Sequence, residues 1–286
     1  MNKTFCVFIM SHGRPDKIYT LNSLVKCGFI GEWFIVIDNE DKHAEEYKLK
    51  YGKRVLQFDK LAMAKRCQNA DNFENRKVIL YARNACFDFA ESFGYEYFLQ
   101  LDDDYVEFEY TYNIRGEYER KRIMGLQRIV KSFCKYLDAN ERIASVAFLQ
   151  GGDFIGGGKC TTVIRGHYPF KKRKAMNSFF CKTSRRFWFS GRINEDVNTY
   201  LSLGSRGMIF MSIPLVILHQ KQSQSNSGGM TETYIVNGTY IKSFYSVIFA
   251  PSACKVEMSK DMHRLHHRIK WSNAVPKILD DTHKKP

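Results

Sequence analysis

The chain reads as an α/β protein with a mostly parallel sheet. Two observations predict this. Apolar runs of strand length alternate with segments of helical period through the first hundred residues, and the runs end in polar, often acidic loops. In such sheets ligands sit at the carboxyl ends of the strands, so those loops are the places to look for chemistry.

The first strand is 5-FCVFIM-10, which meets the polar loop SHGRPD. A helical pattern follows through Ile18, Leu21, Leu24 and Val25 to Gly28. The second strand, 33-WFIVID-38, ends in the acidic loop NEDKHAEEY, and a short apolar patch follows at 54-RVLQFD-59. The stretch 80-LYARNACFDFAESFG-94 has helical period and a closing glycine. Then FLQL runs directly into three carboxylates, Asp102, Asp103 and Asp104. Ile123, Leu126, Ile129, Val130, Phe133 and Leu137 describe an amphipathic helix over 123–137. The strand 143-IASVAFLQ-150 leads into GGDFIGGGK, whose five glycines permit close backbone approach to a ligand or a tight turn. That loop does not have the G-x-G-x-x-G spacing of a dinucleotide fold. Further on, 193-INEDVNTYLSLG-204 predicts a helix with Asn194 as N-cap, Glu195 and Asp196 in its first turn, and Gly204 at its end. The strand 213-IPLVILHQ-220 closes the pattern at His219. After residue 222 the composition turns polar and Gly/Ser-rich, then basic. The expected division is therefore a core over 1–222 and a C-terminal lobe over 223–286.

At 286 residues and 44% hydrophobic the chain can bury a large core. FCVFIM is followed by SHGRPD rather than a cleavage pattern, and 208-MIFMSIPLVIL-218 is too short to cross a bilayer. The eight cysteines are scattered without a C-x-x-C pair. Together these features predict a soluble cytoplasmic protein without disulfides or a zinc site. The net charge of +14 favours acidic partners such as nucleic acid, phosphosugars or anionic lipid. Basic residues concentrate at 115-RGEYERKR-122, 171-KKRK-174, 182-KTSRR-186 and 264-RLHHRIK-270, the last three beside aromatics. Lys171, Lys172, Arg173, Lys174, Arg185 and Arg186 are thus candidates for DNA phosphates, with stacking from Phe179, Phe180, Phe187 and Trp188.

The carboxylates suggest a reaction. A nucleotide-diphosphate sugar needs its diphosphate neutralised before it can leave, and Mg2+ or Mn2+ held by one or two carboxylates does this. In an extended segment Asp102 and Asp104 share a side while Asp103 points away. Transfer to an alcohol also needs a base, and Asp196 with its neighbour Glu195 is the candidate pair. A neutral imidazole, His219, could complete the coordination begun by Asp104.

These motifs, taken in order, resemble those of GT-A glycosyltransferases, whose fold is a Rossmann-like mixed sheet flanked by helices. More narrowly, LQLDDDY, GRINEDVNTY, SQSNSGGMTETY, GTYIKSFYSV, PSACK and HHRIKWSNAVPKI resemble the TET/JBP-associated glycosyltransferases, many of them from bacteriophages, and the related base J glucosyltransferase. The resemblance implies transfer from a UDP-sugar, with glucose the default, to the hydroxyl of a 5-hydroxymethylpyrimidine in DNA. It implies that Ser11, Arg14 and Asp38 line the nucleotide and that Arg83 reaches the ribose or diphosphate. Asp102 and Asp103 would sit at the donor, and Asp102, Asp104 and His219 at the metal. His266, His267 and Arg268 would close over the diphosphate or supply an alternative metal ligand. Three other readings use the same residues: transfer to an envelope polysaccharide or lipid-linked sugar, a metal-dependent nucleotidyltransferase, and a non-catalytic DNA-binding module on the same scaffold.

Overall fold

The computed structural model describes residues 3–72, 74–112, 118–150, 175–221, 241–258 and 265–276. Strands β1 (Lys3–Met10), β2 (Glu32–Asp38) and β3 (Val55–Phe58) lie side by side, with β4 (Tyr95–Asp102) on the other flank of β1, all parallel. Helices α1 (Tyr19–Lys26), α2 (Ala44–Tyr51), α3 (Lys60–Arg66) and α4 (Leu80–Phe93) connect them. Beyond β4 the sheet changes character. The strands β5 (Tyr105–Tyr112), β6 (Tyr118–Arg122), β7 (Ile143–Gln150), β8 (Phe179–Lys182) and β9 (Ile209–Gln220) complete the order β3-β2-β1-β4-β8-β7-β9-β5-β6. Here β8 runs antiparallel to both β4 and β7, and β5 antiparallel to β9 and β6. The sheet is mixed, so the expectation of a mostly parallel one holds only for its first half. Helix α5 (Leu126–Ala139) leads into β7, and α6 (Glu195–Gly204) precedes β9. Helix α7 (241–249) and the antiparallel hairpin β10 (Cys254–Met258) with β11 (Leu265–Ile269) follow.

Alternation along β1 explains why a strand can read as one unbroken apolar run. Cys6, Phe8 and Met10 face the layer of α4 and α6, while Val7 and Ile9 face the layer of α1, α2 and α5. All five are 0–3% exposed, and full burial of a large apolar side chain contributes about 1.5–3 kcal/mol. The amphipathic pattern of α5 is realised by buried Leu126, Val130, Phe133 and Leu137. Its start, however, lies three residues later than the sequence suggests, because Ile123 is tied by its backbone to Phe108 of β5. Helix α4 ends as read: Gly94 adopts φ 72 and its N–H bonds the carbonyls of Ala90 and Glu91. Pro214 sits inside β9, and the pairing with β7 jumps there, from Phe148 opposite Ile213 to Leu149 opposite Ile217. A bulge is where a strand tolerates a residue without N–H.

Among the strands not visible in the sequence are two short ones of the main sheet. Tyr118–Arg122 and Phe179–Lys182 look like basic, aromatic-rich surface, yet each is a rung of the sheet. Phe179, Phe180 and Phe187 are core side chains, 0–3% exposed, and not stacking platforms. Among the described residues no helix is long and apolar enough to cross a membrane, and the seven described cysteines are free thiols. The GGDFIGGGK loop and Lys171–Lys174 lie outside the described residues.

Candidate active site

The carboxylate triplet is the hinge between the two halves of the sheet. Asp102 is the last residue of β4, Asp103 and Asp104 form a turn, and Tyr105 begins β5. The backbone of this turn is stapled from both sides. Thr20 Oγ donates to the Asp102 carbonyl at 2.6 Å and accepts from the Tyr105 N–H at 3.1 Å. The N–H of Lys221, just past β9, bonds the Asp104 carbonyl at 3.0 Å. Thr20 gave no sign of this role in the sequence, because its partners lie more than eighty residues away.

Strand alternation sends Asp102 and Asp103 to opposite faces. Asp103 is fully buried on the α1/α2 side. It accepts from Arg14 Nε at 2.9 Å, from Arg14 Nη2 at 2.8 Å and from Ser11 Oγ at 2.5 Å. Tyr47 supports the same group, its hydroxyl 2.6 Å from Ser11 Oγ and accepting from the Arg14 N–H at 3.0 Å. Burial raises Asp103 to about 6 even against the pull of Arg14. Ser11, Arg14 and Asp103 were expected to line a donor. In this structure their side chains satisfy one another, with Asp103 buried and Ser11 and Arg14 half-buried, because an unpaired carboxylate at that depth must find a cation.

Asp102 faces the other layer, toward α4 and α6. Arg83 of α4, its side chain 1% exposed, donates Nη2 to Asp102 Oδ1 at 3.3 Å and Nε to Glu195 Oε1 at 2.8 Å. Its guanidinium lies 5.2 Å from the ring centroid of Phe179 and 5.8 Å from that of Phe189. Arg83 therefore reaches no open cleft as the donor contact it was expected to be. It joins the triplet to the first turn of α6. Burial opposes its charge, but Asp102 and Glu195 together outweigh that and strengthen its hold on the proton.

Of the remaining acceptors of the site, one has no partner. Asp102 Oδ2 has Tyr105 Oη at 3.3 Å. Asp104 Oδ2 accepts from Gln220 at 2.9 Å, while its Oδ1 is buried without a hydrogen-bond partner. Burial, reinforced by the neighbouring carboxylates, lifts Asp102 to about 7 in spite of Arg83, and burial also raises Asp104. Carboxylates held in such a state gain from a divalent cation, so Asp102 and Asp104 fit one. Among the described residues no cluster of three or more His, Cys, Asp or Glu side chains forms a metal cage. Two carboxylates alone would leave most coordination positions to phosphate oxygens and water, as Mg2+ prefers.

His219 is not brought to them. Its Nε2 lies 2.6 Å from Glu109 Oε2, and the adjacent residue, Gln220, is the one that reaches Asp104. Successive side chains of a strand point to opposite faces, so only one of the two can serve the turn. His266, His267 and Arg268 lie on β11, where the two imidazoles stack at 4.4 Å and Arg268 pairs with Glu257 at 2.9 Å. Arg185 donates to the carbonyls of Asn140 and Ile143, at the opposite end of the sheet from the triplet. Arg186 pairs with Asp88 at 2.6 Å and lies over Trp188 at 4.6 Å. Both arginines thus have internal partners.

The first turn of α6 carries Glu195 and Asp196 as read, but Asn194 does not cap it. Asn194 is 5% exposed, with φ 55 and ψ 40, and its amide donates to the Lys242 carbonyl at 2.7 Å and Ser246 Oγ at 3.3 Å, both on α7. The turn is held by a second device. Gly191, at φ 84, lets the chain pass where a Cβ would come within 2.2 Å of Asn198 Nδ2. Arg192 pairs with Asp71 at 2.8 Å, and Tyr245 of α7 donates to the same carboxylate. Asp196 accepts the Val197 N–H at 2.7 Å, and burial beside Glu195 raises it to about 6. At the far end of the loop layer, Asp38 meets His12 at 2.9 Å and the buried Lys60 at 3.1 Å. Burial alone would raise Asp38, but these two partners hold it below the ordinary carboxylate value. Lys60 and His12 were missed in the sequence, where a lysine in a helix and a histidine in a loop look like solvated surface.

The site thus consists of paired carboxylates after a central strand of a mixed sheet, linked by a buried arginine to an acidic helix start. The chain belongs to the TET-associated glycosyltransferase family, whose model matches residues 5–229. No curated protein sequence matches it. Among solved structures it is similar to glucosyl-3-phosphoglycerate synthase from Mycobacterium tuberculosis in complex with Mn2+, UDP-glucose and phosphoglyceric acid. The two share 9% identity at TM-score 0.47 over 96% of this chain and 88% of that one. A complex of the same enzyme with Mg2+ and UDP overlaps at TM-score 0.45 and 10% identity, over 93% and 88% of the two chains. Overlaps this loose transfer no residue roles.

Proposed function

We propose that this glycosyltransferase moves a sugar from a nucleotide-diphosphate donor, a UDP-hexose in the first instance, to the hydroxyl of a 5-hydroxymethylpyrimidine in DNA. The observation that carries the donor half is the pair Asp102 and Asp104, loosely held at 3.3 Å or left with one unpartnered oxygen beside an arginine-linked acidic helix. Asp102 and Asp104 would hold Mg2+ or Mn2+, which would supply neutralisation of charge on the departing diphosphate. Asp38, with the half-buried His12 beside it, suits the nucleoside end of the donor. Asp196 accepts the proton of the attacking hydroxymethyl group as its oxygen joins the anomeric carbon and the bond to the diphosphate breaks. A carboxylate raised to about 6 is ionised at neutral pH yet more basic than a surface aspartate.

The acceptor half rests on the family and on the charge of +14. A substituent at C5 of a pyrimidine projects into the major groove, where an enzyme reaches it directly or flips the base into a pocket. The test is incubation with a panel of nucleotide sugars and DNA containing 5-hydroxymethylcytosine or 5-hydroxymethyluracil, with and without Mn2+, read by nucleoside mass. The expected product is the hydroxymethylpyrimidine plus one glycosyl mass, formed only with Mn2+. Donor consumption with no change in any DNA nucleoside would refute the acceptor.

A further inference from the structure

We propose that Glu195 is a positioning residue: it draws the Arg83 guanidinium away from Asp102, so that Asp102 keeps its oxygens available to a divalent cation. The inference rests on the metal reading above and concerns how this chain keeps that site open.

The evidence is an asymmetry between two arginine–aspartate pairs on adjacent residues. Arg14 grips Asp103 with two nitrogens at 2.8 and 2.9 Å, the fork geometry that closes a carboxylate completely. Arg83 touches Asp102 with one nitrogen, at 3.3 Å, and gives its 2.8 Å contact to Glu195. Its Nη1 is buried without a partner. The fork is therefore not spent on Asp102, and what sets the two situations apart is the second carboxylate, Glu195, that Arg83 serves. The position of Arg83 is narrowly set: Gln100 Nε2 donates to its backbone carbonyl at 2.9 Å, and Phe179 and Phe189 lie on the guanidinium.

Without the negative charge of Glu195, the full guanidinium charge would fall on Asp102. A buried arginine facing a single carboxylate is driven to pair with it as closely as it can. Arg83 would then compete with the cation for the same oxygens. Glu195 lies in the helix turn that also carries Asp196, so one side chain serves the metal carboxylate while its neighbour faces the acceptor chemistry.

The test is direct Mn2+ binding, followed by the electron paramagnetic resonance signal of free Mn2+ with UDP present. The wild type binds and Asp104→Ala does not. Glu195→Gln is expected to weaken Mn2+ about tenfold or more, within the range that partners of metal-bound carboxylates show. Asp196→Asn, which removes a charge from the same turn but no hydrogen bond to Arg83, is expected to weaken Mn2+ by much less, within about twofold. Thermal unfolding verifies that each variant is folded. Should Glu195→Gln not fold, Glu195→Asp replaces it: the charge remains but the shorter side chain cannot reach Arg83, and Mn2+ is again expected to weaken. In an Arg83→Met background, Glu195→Gln should add no further loss, because the cation that Glu195 draws from Asp102 is gone. Wild-type affinity in Glu195→Gln overturns the proposal. So does equal weakening in Asp196→Asn, which would mean that charge alone matters. If wild type and Asp104→Ala handle Mn2+ alike, the metal site itself is wrong, a failure distinct from the others.

Discussion

Asp102 and Asp103 are neighbours in the chain and opposites in the fold. Asp103 is closed: Arg14 and Ser11 satisfy it, Tyr47 supports them, and no solvent reaches it. Asp102 is open: its arginine is shared with Glu195, and Asp104 beside it keeps an oxygen with no partner. The same residue pair, arginine with aspartate, serves as a structural rivet on one face of the sheet and as part of a ligand site on the other. What separates them is the number of carboxylates that each arginine must serve. A buried ion pair is informative about function when its stoichiometry leaves acceptors over.

The comparison is broken most severely on the open side. Asp196→Asn removes the proposed base, and turnover is expected to fall by about 10²–10⁴ with the unfolding midpoint little changed. Single-turnover assays with saturating donor check this, and near-normal turnover would unseat Asp196. On the closed side the loss should appear in stability. Asp103→Ala leaves the half-buried Arg14 without its partner, and about 3 kcal/mol of stability is expected to go, measured by denaturant unfolding. An unchanged midpoint would mean that Asp103 is not a rivet.

pH sharpens the contrast. Asp196 must be ionised to accept a proton, so with saturating Mn2+ keeping Asp102 ionised kcat/KM is expected to be flat above about 6 and to fall below it, whereas an ordinary aspartate would hold to about 4. The sign for stability is the reverse. A carboxylate raised in the folded state binds its proton more tightly there than when unfolded, so between about 4 and 6 protonation of Asp196 favours folding. Activity should therefore drop in that window while Asp196 itself contributes no unfolding, which parallel rate and circular dichroism profiles would show. The smallest effect is expected for Tyr47→Phe. It removes one hydroxyl that bonds Ser11 and the Arg14 N–H, and about 1 kcal/mol of stability should go with it, leaving KM for the donor unaltered.

Much of the architecture was legible because it is local. The unbroken apolar runs at 5–10, 33–38 and 143–150 are strands buried on both faces, and period alone marked α4 and its glycine end. The acidic start of α6 was equally plain, since carboxylates belong in a first helical turn. β6 and β8 escaped because their charged and aromatic residues look like surface until a neighbouring strand is known. Asn194 misled for a related reason: an asparagine before a helix is usually its cap, but here α7 takes the amide and the backbone turns left-handed. His219 misled by a single position, because the face a strand residue occupies is set by pairing, and pairing put Gln220 at the turn.

The order of residues along the chain was enough to name the chemistry: a carboxylate cluster after a strand, an acid pair opening a helix, a basic protein around them. Which of those carboxylates stand ready for a ligand was decided only when the chain folded. Availability depends on what partners arrive from distant segments, and Arg14 lies 89 residues from the aspartate it closes, Arg83 112 residues from the glutamate that holds it. No local pattern encodes such meetings; they follow from the packing of two helical layers on opposite faces of one sheet.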